Sequence, residues 1–374
     1  MPGAPNAAAA LPPLELVGRA DRVRRRCDAE ALIVTEPHDI RWLTGFSGSA
    51  GWVVILPDRT LLVTDRRYGE RAAEETAPTG DVEVVVGADR AEMRRRLVDT
   101  LVGLERVGAQ ATHLSHASWS DWAIDLPLEP ADGLVAAERR AKDAGEIARI
   151  EWAARIADRA LAEVSPRLAA GPTELEVRHE LEHLMRRLGA AGPSYDTIVA
   201  SGPAHAARPH HGAEHRTIVE GDTVVIDVGA LVDGYHSDMT RTYVIGEPTT
   251  RQREIYDVVL AAQTAGLAAV APGVPAREVD AAARTVFADA GLVDWYLHST
   301  GHGVGLQIHE APLHAPTSAD ELVVGDVVTV EPGLYRAGFG GVRIEDLVEV
   351  TATGHRNLTD SPKDAPCLPS PPTT

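Results

Sequence analysis

TVVIDVGALVDGYHSDMTRT, residues Thr223 to Thr242, has the pattern of a β-hairpin carrying two aspartates on one face. An apolar run, Thr223 to Ile226, leads in, and a β-branched and aromatic run, Thr240 to Ile245, leads out. Asp233-Gly234 lies between them as a two-residue turn. Such a turn sets Val232 opposite Tyr235 and, stepping outward, Asp227 opposite Thr240. Asp238 then shares a face with Asp227, as a diagonal neighbour with Cα atoms roughly 7–8 Å apart. Two carboxylates aimed at one space repel unless a cation sits there.

Three groups further along the chain bear on that space. Gly301-His302-Gly303-Val304-Gly305 sets a histidine between glycines, where backbone can approach closely and the imidazole is uncrowded. Thr329-Val330-Glu331-Pro332-Gly333 ends an apolar strand on a glutamate just before a proline. Gly341-Val342-Arg343-Ile344-Glu345-Asp346 starts another strand, with Arg343 and Glu345 on one face. A hairpin through Gly338 to Gly341 brings Glu331 and Glu345 together as the first brings the aspartates. Four carboxylates and one imidazole suit Mn²⁺, with Co²⁺, Zn²⁺ or Fe²⁺ as alternatives, and exceed what one divalent ion needs. A two-metal site is expected. Each residue alone has a plainer reading: a strand-terminal Asp227 as a turn cap, Glu331 and Glu345 as solvated strand residues, His302 as a satisfied loop histidine. Asp238, before Met239 in a strand, resists that reading, and all five together make one geometry.

The rest of the chain supplies two frames. Residues 1–13, rich in alanine and proline, are expected to be disordered, and Leu14 to Cys27 to form a short basic helix. The runs ALIV, GWVVIL, LLVT and VEVVV from Ala31 to Val86 read as strands of a mixed sheet. Helical patterns follow at Tyr68 to Glu75 and Arg90 to Leu104, giving an α/β domain over 14–138. Thr44 to Gly51, TGFSGSAG, lacks both the Lys-Ser/Thr of a P-loop and the GxGxxG order, so it reads as a turn between two strands. A helix from Ala141 to Val164 opens the second domain, 139–360, with a stripe of Ile147, Ile150, Ala154, Ala157, Leu161 and Val164. Thr173 and Glu176 form a capping box for a helix ending at Gly189. Later helices are expected over Gln252 to Ala269 and Pro275 to Ala290, and strands at Tyr195 to Ala200, Val304 to His309, Val327 to Val330 and Gly341 to Val350. This domain reads as α+β, an antiparallel sheet covered by helices. The proline-rich tail, 361–374, reads as disordered.

Composition bounds the partners. The 374 residues suffice for two domains. A net charge of −19 without a basic stripe argues against nucleic acid. Cys27 and Cys367 form no spaced motif. The start, MPGAPNAAAALPP, lacks a signal-peptide pattern and no run reaches transmembrane length, so a cytoplasmic protein away from membranes is expected.

Asp227, Asp238, His302, Glu331 and Glu345 follow the chain order Asp, Asp, His, Glu, Glu of the pita-bread-fold metallopeptidases, and their flanking motifs resemble that family's. TGFSGSAG and LLVTDRRYGERA are similar to the creatinase-like N-terminal domain of the prolidase and aminopeptidase P branch. Methionine aminopeptidases generally lack that domain, and the intact ligand set argues against metal-free creatinase chemistry. The resemblance implies that Asp238 and Glu345 bridge two ions, that Asp227 and Glu331 each complete one side, and that His302 binds one ion. It places His210, in Arg208-Pro-His-His-Gly212, near the leaving amide, with His211 the neighbour easily mistaken for it. It assigns His309 to the oxyanion, His298 to the substrate, Glu331 or a bridging carboxylate beside it to proton shuttling, and Arg343 to fixing a ligand carboxylate. It further implies a homodimer and a peptide substrate with proline second. His236, in GYHSD, and the stretch from His205 to Arg208 depart from the family pattern and are expected to shape the substrate pocket. Two other readings are carried: an amidohydrolase acting on a small nitrogen compound, and a non-catalytic binding module of the same fold.

Overall fold

The computed structural model describes residues 11–366; the disorder expected for residues 1–10 and 367–374 falls outside them. The described chain divides into two units, Glu15–Arg139 and the remainder from Arg140 onward with the residues up to Leu14.

The first unit is built on six strands, β1 (Ala31–Val34), β2 (Gly51–Ile55), β3 (Thr60–Asp65), β4 (Val82–Gly87), β5 (Val107–Ala109) and β6 (Leu128–Pro130). Their order is β4-β3-β2-β1-β5-β6. β1, β2 and β3 are antiparallel neighbours, whereas β4, β5 and β6 pair in parallel. The central strands are buried at every position of β1 and β3, which is why they read as unbroken apolar runs rather than alternating ones. β5 and β6 have three residues each, too few for any periodicity. Two expectations change. The N-terminal helix is only Arg19–Arg24, started by Gly18 at φ 76°, and Thr44 to Gly51 joins a helix, Pro37–Thr44, to β2 rather than joining two strands.

In the second unit the opening hairpin folds in the expected register. Asp233 and Gly234 take φ values of 47° and 77°, the left-handed pair that a two-residue turn matched to strand twist requires. Val232 pairs with Tyr235 and Asp227 with Thr240. The ribbon nevertheless parts in the middle. Its outer strands, β9 (Thr223–Asp227) and β12 (Thr240–Val244), join β8 (Ile198–Ser201) in one sheet. Its inner strands, β10 (Ala230–Val232) and β11 (Tyr235–His236), join β7 (Gly192–Pro193) in another.

The glutamate ribbon is built the same way. β15 (Val327–Val330) pairs with β18 (Asp346–Thr351), and β16 (Gly333–Arg336) with β17 (Gly340–Arg343). Val330 faces Asp346 and Gly333 faces Arg343, so the unbroken register sets Glu331 across from Glu345, where the ladder parts. β15 and β18 continue into β13 (Gly301–Gly303), β14 (Glu310–His314) and β19 (Gly354–Asn357). The strand expected at Val304 to His309 is absent: register shifts after His302, and Gly305 turns back to bond Gln307. Helices Ala144–Val164 and Glu174–Arg187 close over the aspartate ribbon through a core that includes Ile156, Leu161, Leu181, Val224 and Ile226. Helices Thr250–Ala269 and Ala276–Asp289 cover the glutamate ribbon.

Both ends of the described chain bond the helices and sheets of the second unit. Pro12 accepts a hydrogen bond from Arg149. Ser361 bonds Asp158 and Arg241, Lys363 reaches Asp346, and Pro366 accepts from Val244. Proline-rich composition only limits what a chain can pair with internally; here the partners belong to the sheet and helices.

Candidate metal centre

The two ribbons deliver their carboxylates to one place. One oxygen from each of Asp227, Asp238 and Glu345 lies within 4.8 Å of the others. Nε2 of His302 stands 3.5 Å from Asp238 and 3.4 Å from Glu331. Asp227, Asp238, His302 and Glu331 line a cavity of about 350 Å³ together with His210, His298, His309 and Arg343. Glu345 does not line it but reaches the carboxylate group from behind. All nine residues singled out in the sequence are thus in one neighbourhood.

The glycines beside His302 serve the backbone rather than the ring. A Cβ at Gly301 would lie 2.1 Å from the carbonyl oxygen of Thr329, while the imidazole itself is buried, with its centroid 4.4 Å from that of His309. The first expectation, an uncrowded ring, is replaced by a close approach of strands.

Electrostatics test whether cations fit. Nδ1 of His302 lies 3.0 Å from the carbonyl oxygen of Gly303, and a carbonyl only accepts, so Nδ1 carries the proton and Nε2 a lone pair. That lone pair faces carboxylate oxygens of Asp238 and Glu331, an arrangement that a bound cation reconciles. Burial, reinforced by Asp227 and Glu331, holds Asp238 well above the usual carboxylate range. Burial and Asp238 do the same for Glu345, and burial raises Glu331. Oε1 of Glu345 is buried without a hydrogen-bond partner, an unmet acceptor a metal would satisfy. Oxygen-rich donors with one imidazole fit a pair of divalent ions.

Several supports were not visible in the sequence. The hydroxyl of Tyr195 lies within hydrogen-bond reach of both Asp227 and Asp238, with one proton to share between them. Thr240 donates to Glu345 at 2.7 Å and accepts from Nε of Arg343 at 2.9 Å. The other guanidinium nitrogens reach Asp227 at 2.6 Å, the hydroxyl of Tyr335 at 2.8 Å and the carbonyl of Pro209 at 3.0 Å. Tyr335, pushed up to about 12 by burial, also meets Nε2 of His298 at 3.1 Å. Burial lowers His298 and His309, keeping both imidazoles toward the neutral form. The only sequence signal for Thr240 is its pairing with Asp227; Tyr195 offers none.

The departures from pattern do not line the cavity. His236 bonds Ser194 through Nδ1 at 2.7 Å, and none of His205 to Arg208 is among the lining residues.

Comparison with known proteins follows this geometry. Residues 148–352 match metallopeptidase family M24, and residues 19–140 match the creatinase/prolidase N-terminal domain. An Xaa-Pro dipeptidase of Pyrococcus furiosus is 36% identical over 90% of this chain and 94% of its own length. A solved structure of an Xaa-Pro dipeptidase from Bacillus anthracis superposes with a TM-score of 0.89 at 38% identity, covering 94% of this chain and 99% of that one. An X-Pro aminopeptidase from Thermotoga maritima superposes at 0.83 with 34% identity, covering 92% and 99%.

Proposed function

The chain belongs to metallopeptidase family M24, and on that premise we propose that it is a two-metal hydrolase cleaving the bond between an N-terminal residue and proline. The observation that carries this reading is the convergence of Asp227, Asp238, Glu331, Glu345 and the unprotonated Nε2 of His302. Asp238 and Glu345 would bridge the ions, with Asp227 and Glu331 on either side and His302 on one ion. Mn²⁺ is the expected metal. When bound, the pair supplies a nucleophile from water at neutral pH and polarises the scissile carbonyl.

The chain's own residues do the rest. Glu331, on the cavity wall, would take up and return the proton of the attacking water. His309, kept neutral by burial beside His302, donates to the oxyanion. His210 stands at the cavity wall beside Pro209, where the leaving amide would lie. His298 orients the substrate, held by Tyr335. Ile198, Ile308 and Leu313 give the wall its apolar part. A proline nitrogen has no hydrogen to offer, so an apolar slot with histidines suits it better than a site that reads a peptide N–H. Among the described residues no helix is long and apolar enough to cross a membrane. A cytoplasmic homodimer completes the proposal, and sedimentation as a monomer would remove the dimer from it.

The test is a parallel assay of Xaa-Pro dipeptides, Xaa-Pro-Xaa peptides and Met-Ala-Ser with added Mn²⁺. Cleavage of the proline substrates alone is the expected result. Cleavage of none would shift the reading to an amidohydrolase on a small nitrogen compound.

A further inference from the structure

A second group of metal-binding side chains lies outside the cavity, on the segment between β8 and β9. Glu174, at the start of helix Glu174–Arg187, is fully buried, and its carboxylate gathers the segment around itself. It accepts from the backbone of Ser201 at 2.8 Å, from the Ser201 hydroxyl at 2.5 Å and from the backbone of Glu214 at 3.1 Å. Nδ1 of His205 lies 3.0 Å from both of its oxygens. An ionised carboxylate only accepts, so Nδ1 of His205 carries the proton and the lone pair of the neutral ring falls on Nε2. A carboxylate behind a histidine in this way is the usual means of aiming a ligand nitrogen at a metal.

That Nε2 faces the Glu214 carboxylate at 4.0 Å, and Nε2 of His211 faces its other oxygen at 3.7 Å. The two rings are 4.1 Å apart, centroid to centroid. His211 is only 8% exposed, and its Nε2 is buried without a hydrogen-bond partner. Two ligands on one tetrahedral zinc ion stand about 3.4 Å apart, and both Glu214 distances lie somewhat beyond that. The plainer reading is an imidazolium paired with Glu214. It fits poorly, because burial lowers His211 and favours its neutral form. Arg208 donates toward Nδ1 of His211 at 3.4 Å, so without metal the neutral ring carries its proton on Nε2, and an ion binding there would move that proton to Nδ1 and release Arg208.

We infer that His205, His211 and Glu214 form a separate mononuclear site for an imidazole-preferring divalent ion of the zinc class, with Glu174 as the positioning residue for His205. Two nitrogens and one carboxylate leave a fourth position for water, and such a set selects Zn²⁺ over Mn²⁺. Because His210 lies between Pro209 and His211, the ion would tie down the loop that carries a wall of the cavity. The site uses none of the residues assigned to the two-metal centre and stands or falls apart from it.

The experiment loads full-length protein with Mn²⁺, equilibrates it with a slight excess of Zn²⁺, removes free metal, and counts manganese plus zinc per chain. Exchange at the two-metal centre leaves that total unchanged. Wild type is expected to hold one ion more per chain than His205→Gln or His211→Gln, each checked for an unchanged circular dichroism spectrum. Glu174→Gln is expected to retain the ion with roughly 10–100-fold weaker affinity. Equal totals in wild type and in either folded histidine variant would overturn the site. Unchanged zinc affinity in Glu174→Gln would overturn the positioning role.

Discussion

The aspartate and glutamate ribbons make the same turn of construction, each parting where its carboxylates sit, yet they are held differently. Across its break the aspartate ribbon keeps bonds of its own, Val228 to Met239 and Ser237 to Ala230. The glutamate ribbon keeps one long bond across its break, Ile344 to Pro332 at 3.4 Å, and sends the backbone donors of both glutamates elsewhere: Glu331 bonds Thr300 at 2.8 Å and Glu345 bonds Thr240 at 3.2 Å. One ribbon is a frame and the other is hung on it, with Thr240 and Arg343 as the hooks. Damage to the frame should therefore spread to both carboxylate pairs, and damage to the hung ribbon should stay nearer to its own.

The largest effect is expected from Asp238→Ala. It removes the carboxylate that faces His302 and shares Tyr195 with Asp227. Loss of bound metal and a fall in kcat/KM of about 10³-fold are expected, since several kcal/mol of charge stabilisation go with the ions. A protein with full metal content and activity would sink the bridging assignment. Glu345→Gln should lose less metal, because the aspartate frame stays intact; an equal loss would erase the distinction between the ribbons.

Next is Arg343→Lys. The guanidinium ties Asp227 of the frame to Thr240, Tyr335 and Pro209 at once, and an ammonium cannot fork to all of them. A fall of roughly 10–100-fold in kcat/KM or metal affinity is expected for a partner of ligand groups, with the fold retained. Wild-type kinetics would show that the two ribbons need no such hook.

The protein stripped of metal gives a pH test. Asp238 and Glu345 lie well above the ordinary carboxylate range in the folded chain, and Glu331 is raised. Raised folded values mean that the folded state binds more protons than the unfolded one, where these groups titrate near about 4. Stability is then fully present below about pH 4 and is lost as pH rises through the higher folded values. Chelated protein should melt progressively below the metal-loaded protein as pH rises from about 4 toward neutrality. A constant gap would mean that the carboxylates do not repel one another as their burial implies.

The frame was legible in the sequence because Asp233-Gly234 admits one register, and a single register fixes which residues share a face. Glu331 and Glu345 were legible for a similar reason: Gly338 to Gly341 joins two apolar runs whose pairing sets them opposite. What ties the ribbons together was not. Tyr195 approaches Asp227 and Asp238 from the loop between β7 and β8, and Tyr335 reaches Arg343 across its own hairpin; no local period encodes such contacts. Val304 to His309 misread as a strand because apolar alternation is blind to the register shift after His302. The bonds of Ser361 to Pro366 were not legible either, because they go to Asp158, Arg241, Asp346 and Val244, all outside that segment.

The smallest effect separates frame from hung ribbon without touching chemistry. Gly234 and Gly338 both turn their ribbons at positive φ, 77° and 84°, where alanine costs on the order of 1 kcal/mol. Gly234→Ala and Gly338→Ala should therefore lower thermal stability by similar small amounts. Their effects on metal should differ. A strained Asp233-Gly234 turn shifts the strands that set Asp227 against Asp238, so zinc or manganese affinity should drop a few-fold more than in Gly338→Ala. Equal affinities in two equally destabilised variants would mean that the turn merely closes the aspartate ribbon, and that its register is held from the β9–β12 end alone.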